Sequence, residues 1–453
     1  MRHTLLSPGC GQGADSPLRA RRDKSTQRER LLAAIVTVSC EHGYEDTTIA
    51  RVIGRAGVSR PTFYEHFARK EACFLAALEN VQRDVLSAAT LSIEDRPPQN
   101  AAAAAISALV SFARERPVDA LFLTNETMAA GRQALDARDE GVREIARLIE
   151  NAHRRVSAGT LVPALPGEIL IGATYRLLAS RLAHGDHELA ALQTGLLDWI
   201  AGYESPAGER KWRSLTPAAT PARSPLLRRA PLRPPPALGP GRPRRFAAEV
   251  SENQRLRIIF ATAEIVRRDG YAATSVAEIT RAASVDGRVF YQLFAGKQDA
   301  FAAVREFMFQ HAMAVTAGAF FAAGDWPRRV WEAGAAFTQY LQDNPVLTHA
   351  CVVESHAGGT ETETRLQDLI AGFTIFLQEG YEYQPRRGAT TSRVALEAVA
   401  QASFEIVYRQ VRSSASPDIS GLLAHLAHIS LTPFVGAAKA GELIEQLTED
   451  GTS

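Results

Sequence analysis

The chain has 453 residues, too many for one ordinary hydrophobic core, so two or more domains are expected. Apolar residues make up 46% of the sequence and charged residues 22%, which is typical of a soluble globular protein. An apolar stretch such as Ala101 to Val110 is well short of a membrane span, so no membrane segment is expected. The formal net charge is only +1, so binding to a polyanion would have to depend on local charge.

The first 27 residues are basic but lack the apolar core that a secretory signal needs. We therefore interpret residues 1–27 as a flexible basic arm and expect the protein in the cytoplasm. The four cysteines have no C-x-x-C spacing, which argues against a zinc site or a disulfide framework. Two histidine pairs have i, i+3 spacing, but no second pair nearby completes a tetrahedral metal site: His184 with His187, and His425 with His428. Neither a metal nor a cofactor is expected.

One segment of the sequence occurs twice. Residues 28–79 match residues 255–306 without a gap, at a constant offset of 227. The shared positions include glycine, aromatic and basic residues: Gly43 and Gly270, Tyr44 and Tyr271, Thr47 and Thr274, Phe63 and Phe290, Tyr64 and Tyr291, Phe67 and Phe294, Lys70 and Lys297. The chain therefore contains one module in two copies.

Residues 205–250 separate the two copies and are rich in proline and arginine. From Ser205 to Arg245 there are ten Lys or Arg residues and one acidic residue, Glu209. This composition favours an extended, unpacked linker. The segment Gly241-Arg242-Pro243-Arg244-Arg245 is similar to the AT-hook core that enters a narrow minor groove. A solvated tether with nonspecific phosphate affinity is the other interpretation.

Helical periodicity dominates the rest of the sequence, so the predicted fold class is all-α. In the first copy, Leu31, Ile35 and Val38 fall on one face of a predicted helix. This helix should end at Gly43, because a residue without Cβ suits a left-handed C-terminal position. The second copy repeats the pattern before Gly270.

Hydroxyl residues precede a second predicted helix, Ile49 to Ala56. Thr47 and Thr48 offer side-chain oxygens that can cap it, and Thr274 with Ser275 can do the same in the second copy.

A third predicted helix follows a tight turn at Gly57. Ser59 can cap this helix, and Pro61 lies in its first turn, where a missing N–H group is tolerated. Two short helices joined by a tight turn form the geometry that reads DNA, with the start of the second helix in the major groove.

The side chains of this third helix divide into three groups. Arg60, Pro61 and Thr62 would be exposed to base edges, whereas Phe63 and Phe67 would face inward and fix the helix to its neighbours. Three further side chains are candidates for phosphate contacts: Tyr64, His66 and Lys70.

The first copy closely resembles the TetR family of regulators. The resemblance rests on Gly43-Tyr44, Thr47-Thr48, Gly57-Val58-Ser59-Arg60-Pro61-Thr62-Phe63-Tyr64-Glu65-His66-Phe67 and Lys70-Glu71. It implies a three-helix DNA-binding head, a fourth helix leading into a larger helical ligand-binding domain, and dimerisation through the last two long helices. A weaker similarity to a C-terminal pattern of such regulators occurs at Leu431-Thr432-Pro433-Phe434-Val435-Gly436.

We divide the chain on this basis. The expected segments are a basic arm (1–27), a first TetR-like helix-turn-helix domain (28–92), a helical regulatory domain (93–204), the linker (205–250), a divergent second helix-turn-helix domain (251–307) and a second helical regulatory domain (308–448).

The second copy keeps the framework and changes the reading surface. Asp286-Gly287-Arg288-Val289 stands where the first copy has Ser59-Arg60-Pro61-Thr62. The aspartate can cap the helix but brings a carboxylate towards phosphates, and the glycine lowers helix propensity by up to about 1 kcal/mol. The arginine can still read guanine. We expect a weaker or differently specific head, with candidate contacts at Thr274, Ser275, Arg288, Tyr291 and Lys297.

These features predict a sequence-specific regulator, interpreted as a repressor whose affinity for a double-stranded DNA operator responds to an unknown small-molecule effector. The sequence has no nucleophile elbow, phosphate-binding glycine loop or metal-ligand cluster, so an enzyme is not expected. The alternative is a ligand-sensing or partner-binding helical protein whose second head no longer reads an operator. Five residues are interpreted as core rather than as a ligand pocket: Met308, Phe309, Met313, Phe320 and Phe321.

The two halves are expected to pair within one chain. Residues around Ile169 to Tyr203 and around Val394 to Phe434 are long, apolar on one side, and end their modules. Such stripes need a partner, and the attached copy is present at high effective concentration. The alternative is a homodimer of chains that displays four heads.

Overall fold

The structure is a computed structural model that describes residues 17–156, 165–185, 189–203, 231–237, 247–354, 360–384, 391–414 and 416–452. In these residues all regular structure is helical and there is no strand, which confirms the all-α prediction. None of the described helices combines the length and apolarity that crossing a bilayer requires.

The first half contains ten α-helices within the described residues. They are α1 (Pro17–His42), α2 (Ile49–Ala56), α3 (Arg60–His66), α4 (Lys70–Glu94), α5 (Ala101–Glu115), α6 (Pro117–Leu121), α7 (Thr127–Ala129), α8 (Arg132–Val156), α9 (Gly167–Ala183) and α10 (Leu189–Ala201). A 3-10 turn covers Pro98–Asn100, and a π-helical turn, Phe122–Glu126, joins α6 to α7.

The second half also contains ten α-helices within the described residues, and its first four repeat the order of the first half. Its helices are α11 (Ala247–Asp269), α12 (Val276–Ala283), α13 (Gly287–Leu293), α14 (Lys297–Ala322), α15 (Trp326–Asp343), α16 (Pro345–Val352), α17 (Thr360–Gly372), α18 (Arg393–Ser413), α19 (Leu423–Val435) and α20 (Ala437–Thr452). Two 3-10 segments, Phe373–Tyr383 and Ser420–Leu422, lie between them.

The first helix of each half ends where the sequence predicted. Gly43 and Gly270 have φ angles of +79° and +82°, in the left-handed region that glycine enters without a steric penalty. Leu31 and Ile35 are fully buried on the inner face of α1. This helix begins at Pro17, so it includes part of the segment 1–27 that the sequence suggested as a flexible arm.

Helix α4 joins the first head to its regulatory domain. Its apolar side chains are buried along the whole length, from Cys73 and Phe74 near the head to Ala89 and Ile93 at the far end. The helix packs on α1 in the head and on α5 and α8 in the regulatory domain. One continuous helix therefore connects the head to the regulatory domain.

The two halves pack against each other through their C-terminal helices, as the sequence predicted. Helix α18 contacts both α9 and α10. Tyr203, buried beyond the end of α10, donates a hydrogen bond from its hydroxyl to the carbonyl oxygen of Ile429 in α19, at 2.7 Å. The two regulatory domains thus form one contiguous core within the chain.

Part of the linker lies on the second half. The backbone N–H of Leu232 donates to Oδ1 of Asn344 at 2.8 Å, and Nδ2 of Asn253 donates to the carbonyl oxygen of Pro236 at 3.2 Å. Leu232 also packs on the hydrophobic core. The expectation of an unpacked linker is therefore wrong for residues 231–237, whereas the AT-hook-like residues 241–245 lie outside the described residues.

Candidate nucleic-acid interface

The start of α3 is fixed by a side-chain cap. The N–H of Thr62 donates to Oγ of Ser59 at 3.2 Å, and the two hydroxyl groups lie 2.8 Å apart. Pro61 occupies the first turn, where no intrahelical donor is needed. Both predictions are confirmed. The cap leaves Arg60 and Pro61 exposed, whereas Thr62 is half-buried.

Two buried phenylalanines attach α3 to the core of the head. Phe63 is fully buried, Phe67 is nearly so, and their ring centroids lie 5.9 Å apart. Tyr64 points the other way, is 48% exposed, and rests edge-on against Phe63. A large exposed aromatic side chain braced on a buried one is suited to lie along a DNA backbone with little loss of conformational entropy.

The turn between α2 and α3 depends on a residue that the sequence reasoning missed. Gly57 adopts a left-handed φ of +62°, and Nη2 of Arg30 donates to its carbonyl oxygen at 3.0 Å. A Cβ on Gly57 would lie 2.6 Å from that nitrogen. Arg30 in α1 thereby holds the turn, a contact that no local pattern around Arg30 could indicate.

The two threonines before α2 have different roles. Oγ1 of Thr48, which is exposed, accepts a hydrogen bond from the N–H of Arg51 and caps the helix as predicted. Thr47 is buried, and its hydroxyl donates to the carbonyl oxygen of Gly43 at 2.8 Å. Thr47 therefore faces the core of the head rather than a ligand, and Thr274 does the same in the second copy.

The basic residue at the start of the fourth helix is partly engaged by the protein. Nζ of Lys70 donates to the carbonyl oxygen of Tyr44 at 2.9 Å and lies 4.1 Å from the centre of its ring. Burial lowers the pKa of Lys70. Lys297 makes the equivalent contact with Tyr271 at 3.2 Å. Both lysines join the fourth helix to the end of the first.

His66 closes α3 in a half-buried position. Its Nε2 atom is buried and has no hydrogen-bond partner within the described part of the chain. The ring lies 6.3 Å from that of Phe67. Its phosphate-binding role stays a prediction.

The second head has the same framework with a different charge pattern. Asp286 caps α13 by accepting from the N–H of Arg288 at 2.7 Å, as predicted, and Arg288 is exposed. Tyr291 is 64% exposed and rests edge-on against the buried Phe290, as Tyr64 does on Phe63.

The largest difference between the heads lies at the start of the second helix. In the second copy Ser275 and Glu278 form a reciprocal capping box at the N-terminus of α12. The equivalent of Glu278 in the first copy is Arg51, whose guanidinium donates to the carbonyl oxygen of Asp46. The second head thus presents carboxylates at the start of both helices, where phosphates would be attracted in the first head.

A glutamate connects each head to its regulatory domain: Glu126, which is buried, in the first half and Glu354, which is half-buried, in the second. Oε2 of Glu126, in the π-helical turn, accepts from the backbone N–H of Tyr44 at 3.0 Å, and Glu354 accepts from Tyr271 at 3.1 Å. Burial raises the pKa of Glu126 to about 7, although the hydrogen bonds from Tyr44 and Asn125 oppose this. Burial also raises the pKa of Glu354. Sequence reasoning missed both residues, since the matched segments end before them.

The second regulatory domain contains a partly open cavity of about 200 Å³. Its walls are almost entirely apolar and come from α14 to α19; Met308 and Phe309 contribute from α14, and Phe404 from α18. Met308 belongs to the hydrophobic core, as interpreted, and also borders this cavity together with Phe309. Phe321 is 73% exposed, so its interpretation as core is wrong. Arg305 is the one charged residue among the described lining residues.

No group of three or more His, Cys, Asp or Glu residues in the described ranges could hold a metal ion.

Each head has two short capped helices joined by a left-handed turn, and the second of the two exposes its first turn. This geometry defines a helix-turn-helix unit of the DNA-binding class. Each half of the chain carries one.

A family model described as "Bacterial regulatory proteins, tetR family" matches the chain twice, at residues 31–77 and 258–304. The chain therefore contains two TetR-like helix-turn-helix modules, one in each half.

Two curated relatives match part of the chain. Nucleoid occlusion factor SlmA from two strains of Haemophilus influenzae, PittGG and ATCC 51907, is 26% identical over 126 residues. The match spans 27% of this chain and 58% of those relatives, little more than half of their length.

Solved structures similar to the chain include the fatty acid degradation regulator FadR from Bacillus halodurans, with 20% identity and a TM-score of 0.36. This match covers 39% of the present chain and 94% of that protein. A TetR family transcription regulator from Marinobacter aquaeolei VT8 has 19% identity and a TM-score of 0.32, and covers 39% and 97% of the two chains.

Proposed function

We propose that the protein is a sequence-specific repressor that reads its operator mainly through the first head. The observation that carries this proposal is the exposed, rigid surface of α3. There Arg60 is exposed in the first turn of α3, and the exposed ring of Tyr64 packs edge-on against the buried ring of Phe63. Arg60 and Thr62 contact base edges, while Tyr64, Lys70 and the capped helix starts contact phosphates.

The second head contributes less to operator affinity. Asp286 and Glu278 bring carboxylates to the positions where the first head has Ser59 and Arg51. Each carboxylate opposes a phosphate in the place where an arginine or a helix N-terminus would attract one. Tyr291, Arg288 and Lys297 retain a weaker, largely nonspecific contact with the duplex.

Binding to the DNA upstream of its own gene tests this proposal. We expect fluorescence anisotropy to give an affinity that falls steeply with salt and exceeds that for a scrambled duplex. Tyr64→Ala should weaken operator binding more than the matched variant Tyr291→Ala. Equal affinity for operator and scrambled DNA would contradict specific reading, and a larger loss from Tyr291→Ala would reverse the ranking of the heads.

The effector is a small apolar molecule that occupies the cavity of the second regulatory domain. The lining favours it because a charged ligand would lose its hydration against walls that are almost wholly apolar. Phe404 lines this cavity and also stacks on Arg176 of the first half, with the guanidinium carbon 4.3 Å from the ring centre. A ligand that moved Phe404 would therefore change its contact with Arg176 and so affect the first half of the chain.

n-Alkanols of increasing chain length are suitable probes. Their binding should raise the thermal midpoint until the cavity is filled, and longer members should have less effect. Ala400→Phe, which fills the cavity from α18, should abolish this response and leave Tyr64-dependent DNA binding intact. Absence of stabilisation at every chain length would exclude an apolar effector in this cavity.

A further inference from the structure

The interface between the two halves contains a buried ion pair. Nε of Arg176, in α9, donates to Oε2 of Glu405, in α18, at 3.0 Å, and both side chains are almost completely excluded from solvent. Glu405 also accepts from Nη1 of Arg138 at 3.3 Å and from Nε of Arg409 at 3.0 Å. Burial acts to raise the pKa of Glu405, but the three guanidinium groups outweigh it and lower the pKa to about 2. The carboxylate is therefore ionised and fully paired.

Arg176 and Glu405 are equivalent positions in the two halves. At an offset of 229, Ala173-Thr174-Tyr175 matches Ala402-Ser403-Phe404, and Leu177-Leu178 matches Ile406-Val407. The two residues that contact each other therefore occupy the same place in related helices. Such a contact lies on the approximate two-fold axis that relates the halves.

Two further ion pairs between α9 and α18 flank this axis, and Arg412 of α18 also pairs with Asp136 and Asp139 of α8. Arg181 pairs with Glu397 on one side, and Glu168 pairs with Arg409 on the other. Glu397 is the equivalent of Glu168, so each helix carries an acid near its start and a base towards its end. If either helix paired with a second copy of itself, these outer contacts would still join opposite charges.

Within the contact between α9 and α18, the central pair distinguishes the possible partners. Two first halves would oppose Arg176 to Arg176 at the axis, and two second halves would oppose Glu405 to Glu405. A buried like-charge pair is far less favourable than a buried opposite pair, because neither desolvated charge gains a partner. We propose that the Arg176–Glu405 pair makes this face accept the other half of the same chain and reject a second copy, so that the protein is a one-chain pseudo-dimer.

Light scattering of the full chain tests the arrangement directly. We expect a particle of 49.1 kDa from low micromolar to submillimolar concentration. A stable species of twice that mass would overturn the proposal.

Charge exchange between chains tests the role of the pair. A tagged Arg176→Glu chain has two glutamates at the axis, and an untagged Glu405→Arg chain has two arginines. Opposite charges then meet only between chains, so the co-expressed variants should co-purify with doubled mass, whereas tagged and untagged wild-type chains should not. Folded variants that fail to co-purify would contradict the assignment.

A double-mutant cycle decides the matter if either reversed variant fails to fold. Arg176→Gln and Glu405→Gln should each lower the thermal midpoint, and the combined variant should lose less than the two separate losses together. The matched control is the more exposed pair, Arg181→Gln with Glu397→Gln, for which little coupling is expected. Additive losses at 176 and 405 would overturn the role of the pair.

Discussion

Gly172 permits the close approach of the two halves, so Gly172→Ala should destabilise the protein. A Cβ at this position would lie 2.3 Å from Cδ and 2.4 Å from Oε1 of Glu405. Glu405 cannot move aside easily, because Arg176 and Arg138 hold its two oxygens. Overpacking of this kind costs about 1–3 kcal/mol, whereas alanine in place of glycine within a helix gains about 0.5–1 kcal/mol. The expected net loss is therefore about 1–2 kcal/mol.

Gly318→Ala is the matched control for this substitution. Gly318 lies in an exposed position of α14, and nothing lies within 4 Å of a Cβ built there. It should gain about 0.5–1 kcal/mol from helix propensity alone. Urea denaturation of both variants, followed by tryptophan fluorescence, gives the two free-energy changes, which should have opposite signs. A Gly172→Ala variant as stable as Gly318→Ala would refute the close contact at the axis.

Four other substitutions have defined outcomes. Burial raises the pKa of Glu126 from 4.5 to about 7, so the unfolded chain loses its proton first and stability falls as pH rises through this interval, by up to about 3 kcal/mol. Glu126→Gln should flatten that part of the profile in thermal melts between pH 4 and 8, and an unchanged slope would contradict this. Ser284 has a left-handed φ of 48°, so Ser284→Gly should raise the urea midpoint by relieving about 1 kcal/mol of strain; a lower midpoint would exclude that strain. Arg60→Ala should cost about 1–3 kcal/mol of operator binding and relax specificity at one base pair, whereas Lys70→Ala should weaken all duplexes alike; the reverse pattern in competition binding would reverse these roles.

Local chemistry explains which features could be predicted from the sequence. The caps at Thr48 and Ser59 and the stop at Gly43 depend on residues within a few positions of one another, and each has few alternatives. The inward Phe63 and outward Tyr64 follow from helical spacing around that capped start. For these positions the sequence alone was sufficient.

Contacts between distant segments could not be predicted in the same way. Thr47 carries the same hydroxyl as Thr48, and only the packing of α1 against α2 turns it inward. Glu126 reaches Tyr44 across 82 residues, through a π-helical turn with no strong sequence signal. Lys70 is partly buried because its Nζ donates to the carbonyl oxygen of Tyr44. Any residue supplies such a backbone acceptor, so the sequence does not indicate this contact.

The internal repeat extends beyond the heads into the helices that join the two halves. Near its centre the interface matches at an offset of 229, close to the 227 of the heads, so α9 and α18 could have been aligned from sequence. In that alignment Arg176 is equivalent to Glu405, so one position carries opposite charges in the two halves. The alignment alone does not show that the two residues contact each other. The structure shows this contact, and equivalent residues contact each other only on a symmetry axis.

The differences between the heads and the pairing of the halves have a joint consequence for DNA recognition. A homodimeric regulator has two identical heads and therefore suits a palindromic site. In this chain the central charge pair joins unlike halves, and unlike halves carry unlike heads: Arg51 and Arg60 in one, Glu278 and Gly287 in the other. Each particle then presents one head of each kind in a fixed ratio. On the proposed function, we expect a matching operator to have one strongly read half-site and one that mainly supplies phosphates. A second copy of the strong half-site would meet Glu278 and Gly287 where the first head has Arg51 and Arg60.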